Sequence, residues 1–347
     1  MLVSYTIKSK EELPGLVKRI LARHFFGTVL LELETPFGLG DSTTIRDLVF
    51  THPCWLKTEG ASEPVLKSWF DAGIRKIALP ANDQGSETTQ LDSKRLMFEE
   101  ISQVSQLGDA VDKARNGKLF SIDSSNNPSW LGDLLFQSLR CDRPDGLIPT
   151  VVADEFGVAL GLVYSNRASI QASLESGKGV YWSRSRNELW EKGKTSGATQ
   201  SLVRIDPDCD RDALRFTVKQ VGSGFCHLER RNCFCDSESD LGSVFRHLKS
   251  KIDQAEPNSY TRRLVADDVL RHAKLREEAA ELCGASNVAE ITWESADLFY
   301  FSLANAIAND VDLSDIVGEL IRRTQKVTRR PGNAKSQYIE ERKADDE

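Results

Sequence analysis

Apolar residues follow two different spacings along the first 142 positions of the chain. Short apolar runs at 28–33, 74–79 and 118–122 have the length and composition of buried strands. Between them, positions 64–72 have the apolar spacing of an amphipathic helix. This alternation predicts an α/β domain. The segment carries neither a phosphate-binding glycine motif nor a metal-ligand spacing, so we assign it no chemistry.

A boundary follows where prolines and a glycine punctuate positions 143–150. Beyond it, residues 151–165 have the pattern of two strands around a turn, and residues 179–183 have the pattern of another strand. A helical pattern at 167–176 lies between them and ends at Gly177, a residue type suited to the left-handed conformation after a helix. These segments predict a β-rich α+β domain.

From position 240 onward the apolar spacing is helical. One long helix is expected to begin at Ser259, and the next helix is expected to bury an apolar stripe that runs from Trp293 to Ile307. The sequence therefore predicts a multidomain protein. Its four segments are an N-terminal α/β extension of unassigned role at 1–142, a central β-rich α+β domain at 143–245, a C-terminal all-α bundle at 246–330 and a polar linker or disordered tail at 331–347.

Composition limits the classes of partner and compartment. The 347 residues have a formal net charge of −7 and a pI near 5.5, which argues against nucleic acid as a partner because phosphate backbones attract basic surfaces. The N-terminus lacks the apolar run of a signal peptide, and no stretch has the length of a membrane span. Seven cysteines favour metal binding or burial over a secreted disulfide framework. We therefore expect a soluble, cytoplasmic protein without a membrane partner.

An acidic triplet opens the densest cluster of candidate ligands. Asp208, Asp210 and Asp212 alternate along the chain, so an extended backbone would place their carboxylates on one face. Clustered carboxylates suit a hard cation such as Mg²⁺. A calcium loop of the EF-hand type is rejected, because that loop needs glycine where Ala213 stands and glutamate where Lys219 stands.

Cysteines of the same cluster are candidate ligands for a softer metal. Cys209, Cys226 and Cys233 supply three thiols, and three ligands leave the fourth tetrahedral position of Zn²⁺ open, which is typical of a catalytic site. His227 adjoins Cys226 and is a candidate base. Each cysteine alone would more often be a buried apolar residue, but their combination with the acidic triplet favours metal ligands. Cys235 could replace Cys233 as a ligand.

A basic and aromatic cluster precedes the metal cluster. Guanidinium, ammonium and hydroxyl groups bind phosphate, and aromatic rings can stack on a base. The alternative is an ordinary solvated hairpin with charged flanks. The substrate-binding candidates are Tyr181, Trp182, Ser183, Arg184, Ser185, Arg186, Trp190, Lys194, Thr195 and Ser196, with Lys192 as a further basic residue of the cluster.

Two pairs of acidic residues mark the helical region. Glu278 and Glu281 are three residues apart on one predicted helix, and Glu294 and Asp297 repeat that spacing on the next. Two antiparallel helices could bring the four carboxylates together as a cage for Mg²⁺. The alternative is ordinary acidic surface, which is common on helices. Candidate phosphate contacts for this site are Arg262, Arg263, Arg322 and Arg323, and ordinary pairing on helix surfaces would explain them equally well.

These clusters resemble two consecutive enzymes of histidine biosynthesis, phosphoribosyl-AMP cyclohydrolase and phosphoribosyl-ATP pyrophosphohydrolase. The first resemblance covers 143–234 and is carried by R-P-D-G-L, G-x-V-Y-W-S-R-S-R-N-E-L-W-x-K-G-x-T-S-G, D-C-D-x-D and C-H. The second covers 259–326 and is carried by S-Y-T-R-R-L, E-E-x-x-E and E-x-A-D-L-x-Y. The order of the segments is similar to that of the fungal multifunctional histidine proteins, in which a histidinol dehydrogenase domain follows.

The resemblance implies two hydrolytic sites. Phosphoribosyl-ATP would be cleaved to phosphoribosyl-AMP and pyrophosphate at the helical site, with Glu278 and Glu281 as catalytic residues among the Mg²⁺ ligands. The adenine ring of phosphoribosyl-AMP would then be opened between N1 and C6 at the central site, with His227 as catalytic residue. The three cysteines are implied as zinc ligands contributed by two subunits of a homodimer, and the three aspartates as Mg²⁺ ligands.

Two other functions remain open at this point. One is a general nucleoside triphosphate pyrophosphatase that carries a structural zinc module. The other is a non-catalytic scaffold, which would have no need for a complete set of acidic and thiol ligands.

Overall fold

The computed structural model describes residues 1–40, 42–80, 91, 93–97, 101–123, 130–234, 240–254, 256, 259–328, 332 and 334. Cys235 and nearly all of the predicted polar tail lie outside the described residues. The chain forms two compact units, each discontinuous in sequence. The first unit comprises Met1–Val3, Lys18–Gly27 and Ser102–Leu320, and the second comprises Ser4–Val17, Thr28–Ile101 and Ile321–Glu347.

Strands and helices alternate in the N-terminal region, and only helices follow β12 among the described residues. The strands are β1 (Leu2–Ile7), β2 (Thr28–Leu33), β3 (Cys54–Lys57), β4 (Lys76–Ala78), β5 (Leu96–Met97), β6 (Ser121–Asp123), β7 (Ile148–Asp154), β8 (Ala159–Ser165), β9 (Val180–Ser183), β10 (Glu188–Glu191), β11 (Gln200–Pro207) and β12 (Leu214–Gln220). The helices are α1 (Leu13–Arg23), α2 (Arg46–Thr51), α3 (Glu63–Asp71), α4 (Leu107–Arg115), α5 (Leu131–Ser138), α6 (Arg167–Ser176), α7 (Leu241–Asp253), α8 (Tyr260–Ala266), α9 (Asp268–Gly284), α10 (Val288–Ala308) and α11 (Leu313–Thr324).

The N-terminal region is an α/β structure, as predicted. Its sheet has the strand order β5-β4-β3-β2-β1-β6, and β2 through β5 pair in parallel. The predicted strand at 28–33 coincides with β2, while the predicted run at 74–79 contains the shorter β4. Leu30, Leu31 and Leu56 are fully buried, which explains the continuous apolar runs, because a parallel sheet is covered on both faces.

Residues that follow α11 bind to the end of α3 within the second unit. The Asp71 carboxylate accepts hydrogen bonds from the backbone N–H groups of Val327 at 2.8 Å and of Thr328 at 3.0 Å. Arg95 donates to the carbonyl of Gln325 at 2.7 Å, and its guanidinium stacks over the ring of Phe70 at 4.0 Å. The second unit therefore joins residues from both ends of the sequence.

The central region is β-rich, and its helix is positioned as predicted. Its larger sheet has the order β11-β12-β7-β8, with β12 and β7 parallel, and β9 and β10 form a separate antiparallel pair. Helix α6 begins at an Asn166 cap, whose side chain accepts from Ser169 N at 2.9 Å, and ends before Gly177 at φ +66°. Asparagine and glycine at these ends explain why the sequence located α6 so closely.

The C-terminal region is helical, with one difference from the sequence prediction. The long helix expected from Ser259 is two helices, α8 and α9, separated at Asp267. Asp267 has an extended backbone (φ −111°, ψ 99°), and its carboxylate caps α9 by accepting from Leu270 N at 3.0 Å. The helix breaks here because the Asp267 carboxylate bonds to a backbone N–H of the following turn, and this capping conformation is incompatible with a continuous helix. Among the described residues, no helix is both long and apolar enough to cross a membrane.

Candidate active sites

The acidic triplet lies in the loop between β11 and β12. One carboxylate oxygen from each of Asp208, Asp210 and Asp212 lies within 4.8 Å of the others. The expected extended backbone is wrong, because the chain must reverse direction between the two antiparallel strands. Arg211 adopts φ +68°, and Asp208 Oδ1 accepts from the backbone N–H groups of Asp212 at 3.0 Å and Ala213 at 3.1 Å.

The three exposed carboxylates repel one another in this loop. The negative charge of Asp210 and a hydrogen bond to Asp208 raise the pKa of Asp212 above its ordinary value. A divalent cation would relieve that repulsion, and carboxylate oxygens are the donors that Mg²⁺ prefers. The triplet therefore fits a hard cation, although exposed acidic groups also occur without one.

Two of the three candidate thiols meet in the loop that follows β12. Cys226 and Cys233 contact each other through their side chains. A hydrogen bond from Leu228 N, which approaches Cys226 Sγ at 3.5 Å, lowers the pKa of the Cys226 thiol, while burial and then the neighbouring Cys226 raise the pKa of Cys233. Two thiols this close to each other could supply two of the four ligands of a tetrahedral metal site.

Backbone bonds hold this pair of thiols in place. Cys226 N donates to the Arg230 carbonyl at 3.0 Å, and Cys233 N donates to the Leu160 carbonyl in β8 at 2.8 Å. Gly224 has φ +116°, and a Cβ at this position would lie 2.4 Å from the Arg230 oxygen. Only glycine fits such a position, so the loop is built around a close approach of two backbone segments.

Cys209 does not join the other two thiols within one chain. It lies exposed in the β11–β12 loop, with Sγ 3.9 Å from Asp210 Oδ1. Among the described residues, no group of three close metal-ligating side chains includes Cys226 or Cys233. His227 is exposed beside Cys226. The single chain therefore presents the candidate zinc ligands as a pair and a separate third thiol.

Lys192 is a buried cation beside the thiol pair. Its side chain is among the buried polar groups of the protein, and Nζ donates to the Gly224 carbonyl at 3.2 Å. Burial lowers the pKa of Lys192, and the charges of Cys233 and Cys226 oppose that effect. The sequence predicted Lys192 as part of a phosphate-binding cluster. Its position beside the thiols could not be predicted, because it depends on the loop at 221–234, which is distant along the chain.

The basic and aromatic cluster separates into core and surface residues. Tyr181 is fully buried and donates from its hydroxyl to Gln200 Oε1 at 2.6 Å, so it is a core residue and has no free face for a base. Trp190 packs against the same core, with its ring centroid 5.8 Å from that of Tyr181. Trp182 and Ser183 are half-buried. The exposed candidates are Arg184, Ser185, Arg186, Lys194, Thr195 and Ser196.

The four predicted carboxylates converge between α9 and α10. One oxygen each from Glu278, Glu294 and Asp297 lies within 4.8 Å of the others, and Glu281 contacts the Glu294 carboxyl group. Burial of its carboxyl group and the negative charge of Glu281 raise the pKa of Glu294. Glu294 Oε2 is buried, and it has no hydrogen-bond partner among the residues that the structure describes. A buried carboxylate oxygen without a donor fits a position where a cation binds.

Lys274 lies one helical turn before Glu278 of the carboxylate cage, and the sequence analysis did not predict it as a site residue. Its Nζ lies 2.6 Å from Glu278 Oε1 and 2.8 Å from Glu277 Oε1. Hydrogen bonds to Glu277 and Glu278 raise the pKa of Lys274. The four-residue spacing to Glu278 was a possible signal, but that spacing is common on helix surfaces. Arg262 and Arg263, the predicted phosphate contacts, are exposed on α8, and Arg263 lies 5.7 Å from the Tyr260 ring centroid.

Comparisons with known proteins match both regions. Residues 161–235 match the family model for phosphoribosyl-AMP cyclohydrolase, and residues 241–324 match that for phosphoribosyl-ATP pyrophosphohydrolase. The chain is 40% identical over 291 residues to the histidine biosynthesis trifunctional protein of Saccharomyces cerevisiae, covering 82% of this chain and 36% of that protein. It is 47% identical over 213 residues to the histidine biosynthesis bifunctional protein his7 of Schizosaccharomyces pombe, covering 61% and 51%.

A bacterial relative is covered almost completely. The chain is 39% identical over 201 residues to the histidine biosynthesis bifunctional protein HisIE of Gloeobacter violaceus, covering 54% of this chain and 91% of that protein. By contrast, the chain spans about a third of the length of the Saccharomyces cerevisiae protein, at 36%. The predicted resemblance is confirmed, and the chain belongs to the family of histidine biosynthesis proteins that join a phosphoribosyl-AMP cyclohydrolase domain to a phosphoribosyl-ATP pyrophosphohydrolase domain.

Proposed function

We propose that this chain hydrolyses phosphoribosyl-ATP to phosphoribosyl-AMP and pyrophosphate, and then opens the adenine ring of phosphoribosyl-AMP by hydrolysis between N1 and C6, in the cytosol. The observation that carries the proposal is the convergence of two separate ligand sets, a carboxylate cage in the helical region and a thiol pair in the central region. Each set lies within the region that matches the corresponding family model.

The carboxylate cage supports the first hydrolysis. Magnesium bound there would neutralise the triphosphate and make its phosphorus easier to attack. Glu278, Glu294 and Asp297 are proposed as the ligands, which is supported by the approach of their carboxylate oxygens to within 4.8 Å of one another. Glu281 is exposed at its edge, where it can accept a proton from the water that attacks between the α and β phosphorus atoms. Arg262 and Arg263 are proposed to contact the phosphates.

The thiol pair supports the second hydrolysis. Zinc held by Cys226, Cys233 and a third thiol would lower the pKa of a bound water and so supply a nucleophile near neutral pH. His227 is exposed next to Cys226 and is proposed to accept the proton of the water that attacks C6. The N1–C6 bond then breaks, N1 departs with a proton, and C6 remains as a carboxamide carbonyl.

A homodimer would complete the thiol site. The third thiol, Cys209, lies apart from Cys226 and Cys233 within one chain, so a second copy is proposed to supply it. Exposed apolar side chains on α10 also suit a contact between copies, since Trp293 is 69% exposed and Phe299 is 60% exposed. The family of cyclohydrolases uses metal ions, and Zn²⁺ here with Mg²⁺ at the aspartates and at the cage is our proposal for this chain.

The test supplies each substrate separately to the purified chain. Pyrophosphate release is measured with phosphoribosyl-ATP and Mg²⁺, and ring opening is measured with phosphoribosyl-AMP, Zn²⁺ and Mg²⁺. Cys226→Ser is expected to abolish ring opening and to retain pyrophosphate release, while Glu281→Gln is expected to do the reverse. Cys283→Ser and Glu256→Gln are matched controls, because both side chains are exposed and neither belongs to the proposed ligand sets.

The outcomes separate the competing functions. Pyrophosphate release without ring opening, together with equal hydrolysis of ordinary nucleoside triphosphates, would support a general pyrophosphatase with a structural zinc module. Absence of both reactions would support a scaffold. Loss of both activities in both variants would contradict the assignment of two independent sites.

A further inference from the structure

Two arginines from distant motifs lie over the same tyrosine ring. The guanidinium carbon of Arg143 lies 4.9 Å from the ring centroid of Tyr164, and that of Arg184 lies 3.9 Å from it. Each guanidinium group is attracted to the π electrons of the ring, so one tyrosine holds two cationic side chains. We propose that Arg143, Arg184 and Tyr164 form a clamp for a phosphate group of the ring-opening substrate, an inference that rests on the proposed function.

The donors of Arg184 are available to a ligand. Among the described residues, Arg184 makes no side-chain hydrogen bond or ion pair, and its stacking on Tyr164 is its one specific contact. Arg186, two positions on, is paired with Glu188 at 2.6 Å. A guanidinium that is held over a ring but not hydrogen-bonded presents its N–H groups to a phosphate at little entropic cost. Arg184 is therefore the better phosphate ligand of the two arginines.

Arg143 is oriented by its own motif. Its Nε and Nη2 donate to the two carboxylate oxygens of Asp145 at 3.0 and 2.7 Å, so Nη1 is not engaged by that pair. Asp145 neutralises one of the two guanidinium charges, which leaves one net positive charge at the clamp for an incoming anion. The R-P-D-G motif thus has a chemical role in addition to marking the domain boundary.

Tyr164 is the positioning residue of this arrangement. It lies half-buried in β8 opposite Pro149 of β7, so its ring is fixed by the sheet. Its hydroxyl group makes no hydrogen bond to any residue that the structure describes. The ring face, and not the hydroxyl, is therefore what holds the two arginines together.

The clamp adjoins the acidic loop. Just before Arg143, the Arg140 backbone N–H donates to the Arg211 carbonyl at 2.8 Å, and Arg211 Nη1 donates to Ser138 Oγ at 2.9 Å. The loop that carries the three aspartates is thereby attached to the segment that leads into the clamp. Carboxylates alone repel a phosphate, so a cationic clamp beside them provides the attraction that the acidic loop lacks.

The experiment combines kinetics with binding. KM and kcat for ring opening of phosphoribosyl-AMP are compared in Tyr164→Leu, Tyr164→Phe and Arg184→Gln, with Arg167→Gln as a control for loss of a surface arginine that is paired with Asp133. Affinities for adenosine 5′-monophosphate against adenosine, and for ribose 5-phosphate against ribose, are measured by calorimetry. Amide hydrogen exchange of β7 and β8 in the same variants reports whether the central sheet is folded.

Loss of the Tyr164 ring is expected to raise KM for phosphoribosyl-AMP. Tyr164→Leu should raise KM about tenfold with kcat little changed, because two stacking contacts are lost. Arg184→Gln should raise KM by about tenfold to a hundredfold, since a charge-assisted hydrogen bond is lost. Tyr164→Phe should stay within about threefold of wild type, because it keeps the ring. The preference for one of the phosphorylated probes should fall in parallel in the first two variants.

Each other outcome has a defined meaning. An unchanged KM in Tyr164→Leu, or a loss of kcat alone, would overturn the clamp, as would equal losses in Tyr164→Phe and Tyr164→Leu. If the wild type fails to open the ring, the proposed function fails. In that case a phosphate preference that depends on Tyr164 in calorimetry would still support the clamp, and its absence would refute it.

Discussion

Removal of the Lys274 charge tests whether this one side chain offsets the negative charge of the carboxylate cage in the absence of metal. Lys274 Nζ lies 2.6 Å from Glu278 Oε1, and the two side chains are 23% and 4% exposed. Lys274→Met keeps the length of the side chain and removes the charge, so Glu278 retains a buried negative charge next to two further carboxylates. The variant is therefore expected to destabilise the packing of α9 against α10.

The magnitude lies between two limits. Breaking a fully buried ion pair costs about 3–5 kcal/mol, whereas an exposed pair contributes about 0.2–1 kcal/mol. Since Glu278 is buried and Lys274 is partly exposed, we expect a loss of about 2 kcal/mol, equivalent to roughly thirtyfold faster exchange of the most protected α9 amides. Amide hydrogen exchange is the suitable assay because it resolves one region of a chain with several domains.

The pH dependence of this contribution follows from the direction of the shift. Hydrogen bonds to Glu277 and Glu278 raise the pKa of Lys274 in the folded state. The stabilisation is therefore complete below the ordinary lysine value of 10.5 and is lost only as pH rises through the raised pKa. The difference between wild type and Lys274→Met should thus be constant from about pH 6 to 9.

Magnesium should reduce the effect of the substitution, because a divalent cation in the cage supplies the missing positive charge. Lys249→Met is the matched control, since Lys249 is exposed on α7. Without metal, α9 amide exchange in Lys274→Met that stays within about threefold of wild type would refute this role of Lys274. A threefold change corresponds to about 0.7 kcal/mol, which is the contribution of an ordinary surface ion pair. Equal destabilisation with and without Mg²⁺ would argue against a cation in the cage.

Two further predictions concern the metals. Burial and the charge of Glu281 raise the pKa of Glu294, so the negative charge that Glu294→Gln removes is unfavourable without metal. The metal-free variant should therefore melt no lower than wild type at pH 7, but it should lose the thermal shift that Mg²⁺ induces. Wild type without metal should gain stability as pH falls through the raised Glu294 pKa toward its ordinary value of 4.5. Lys192→Met should weaken Zn²⁺ binding about tenfold in competition with a chromogenic chelator. Lys178→Met, whose exposed lysine pairs with Glu191 at 2.6 Å, should leave Zn²⁺ affinity unchanged.

Local signals in the sequence predicted much of the fold. Helix α6 was located to the residue because Gly177 adopts the left-handed conformation that the sequence suggested. The break at Asp267 was missed, because an aspartate inside a helical pattern is read as a surface residue unless its cap is seen. Periodicity reports which face of an element is apolar, and it reports a break only where glycine or proline marks it.

The candidate sites were predicted as residue sets and only partly as geometries. The convergence of Glu278, Glu294 and Asp297 followed from helical spacing, which is a local property. The burial of Tyr181 could not be predicted, because an aromatic residue near arginines has the same local sequence pattern whether it stacks on a ligand or packs in a core. The partners of Lys192 lie more than thirty positions away at Gly224 and Cys226, where only the folded chain brings them together.

The attachment of Val327 and Thr328 to Asp71 has a consequence for synthesis of the protein. The second unit contains residues from both ends of the described sequence, and the whole of both family-matched regions lies between Asp71 and Val327. During translation the first half of this unit leaves the ribosome long before its C-terminal segment is made. The unit cannot complete its contacts until that segment emerges, and contacts of such long sequence separation form slowly. On a nascent chain stopped before residue 321, the Asp71 carboxylate should therefore be without its backbone donors, and the end of α3 should be more open to protease than in the complete chain.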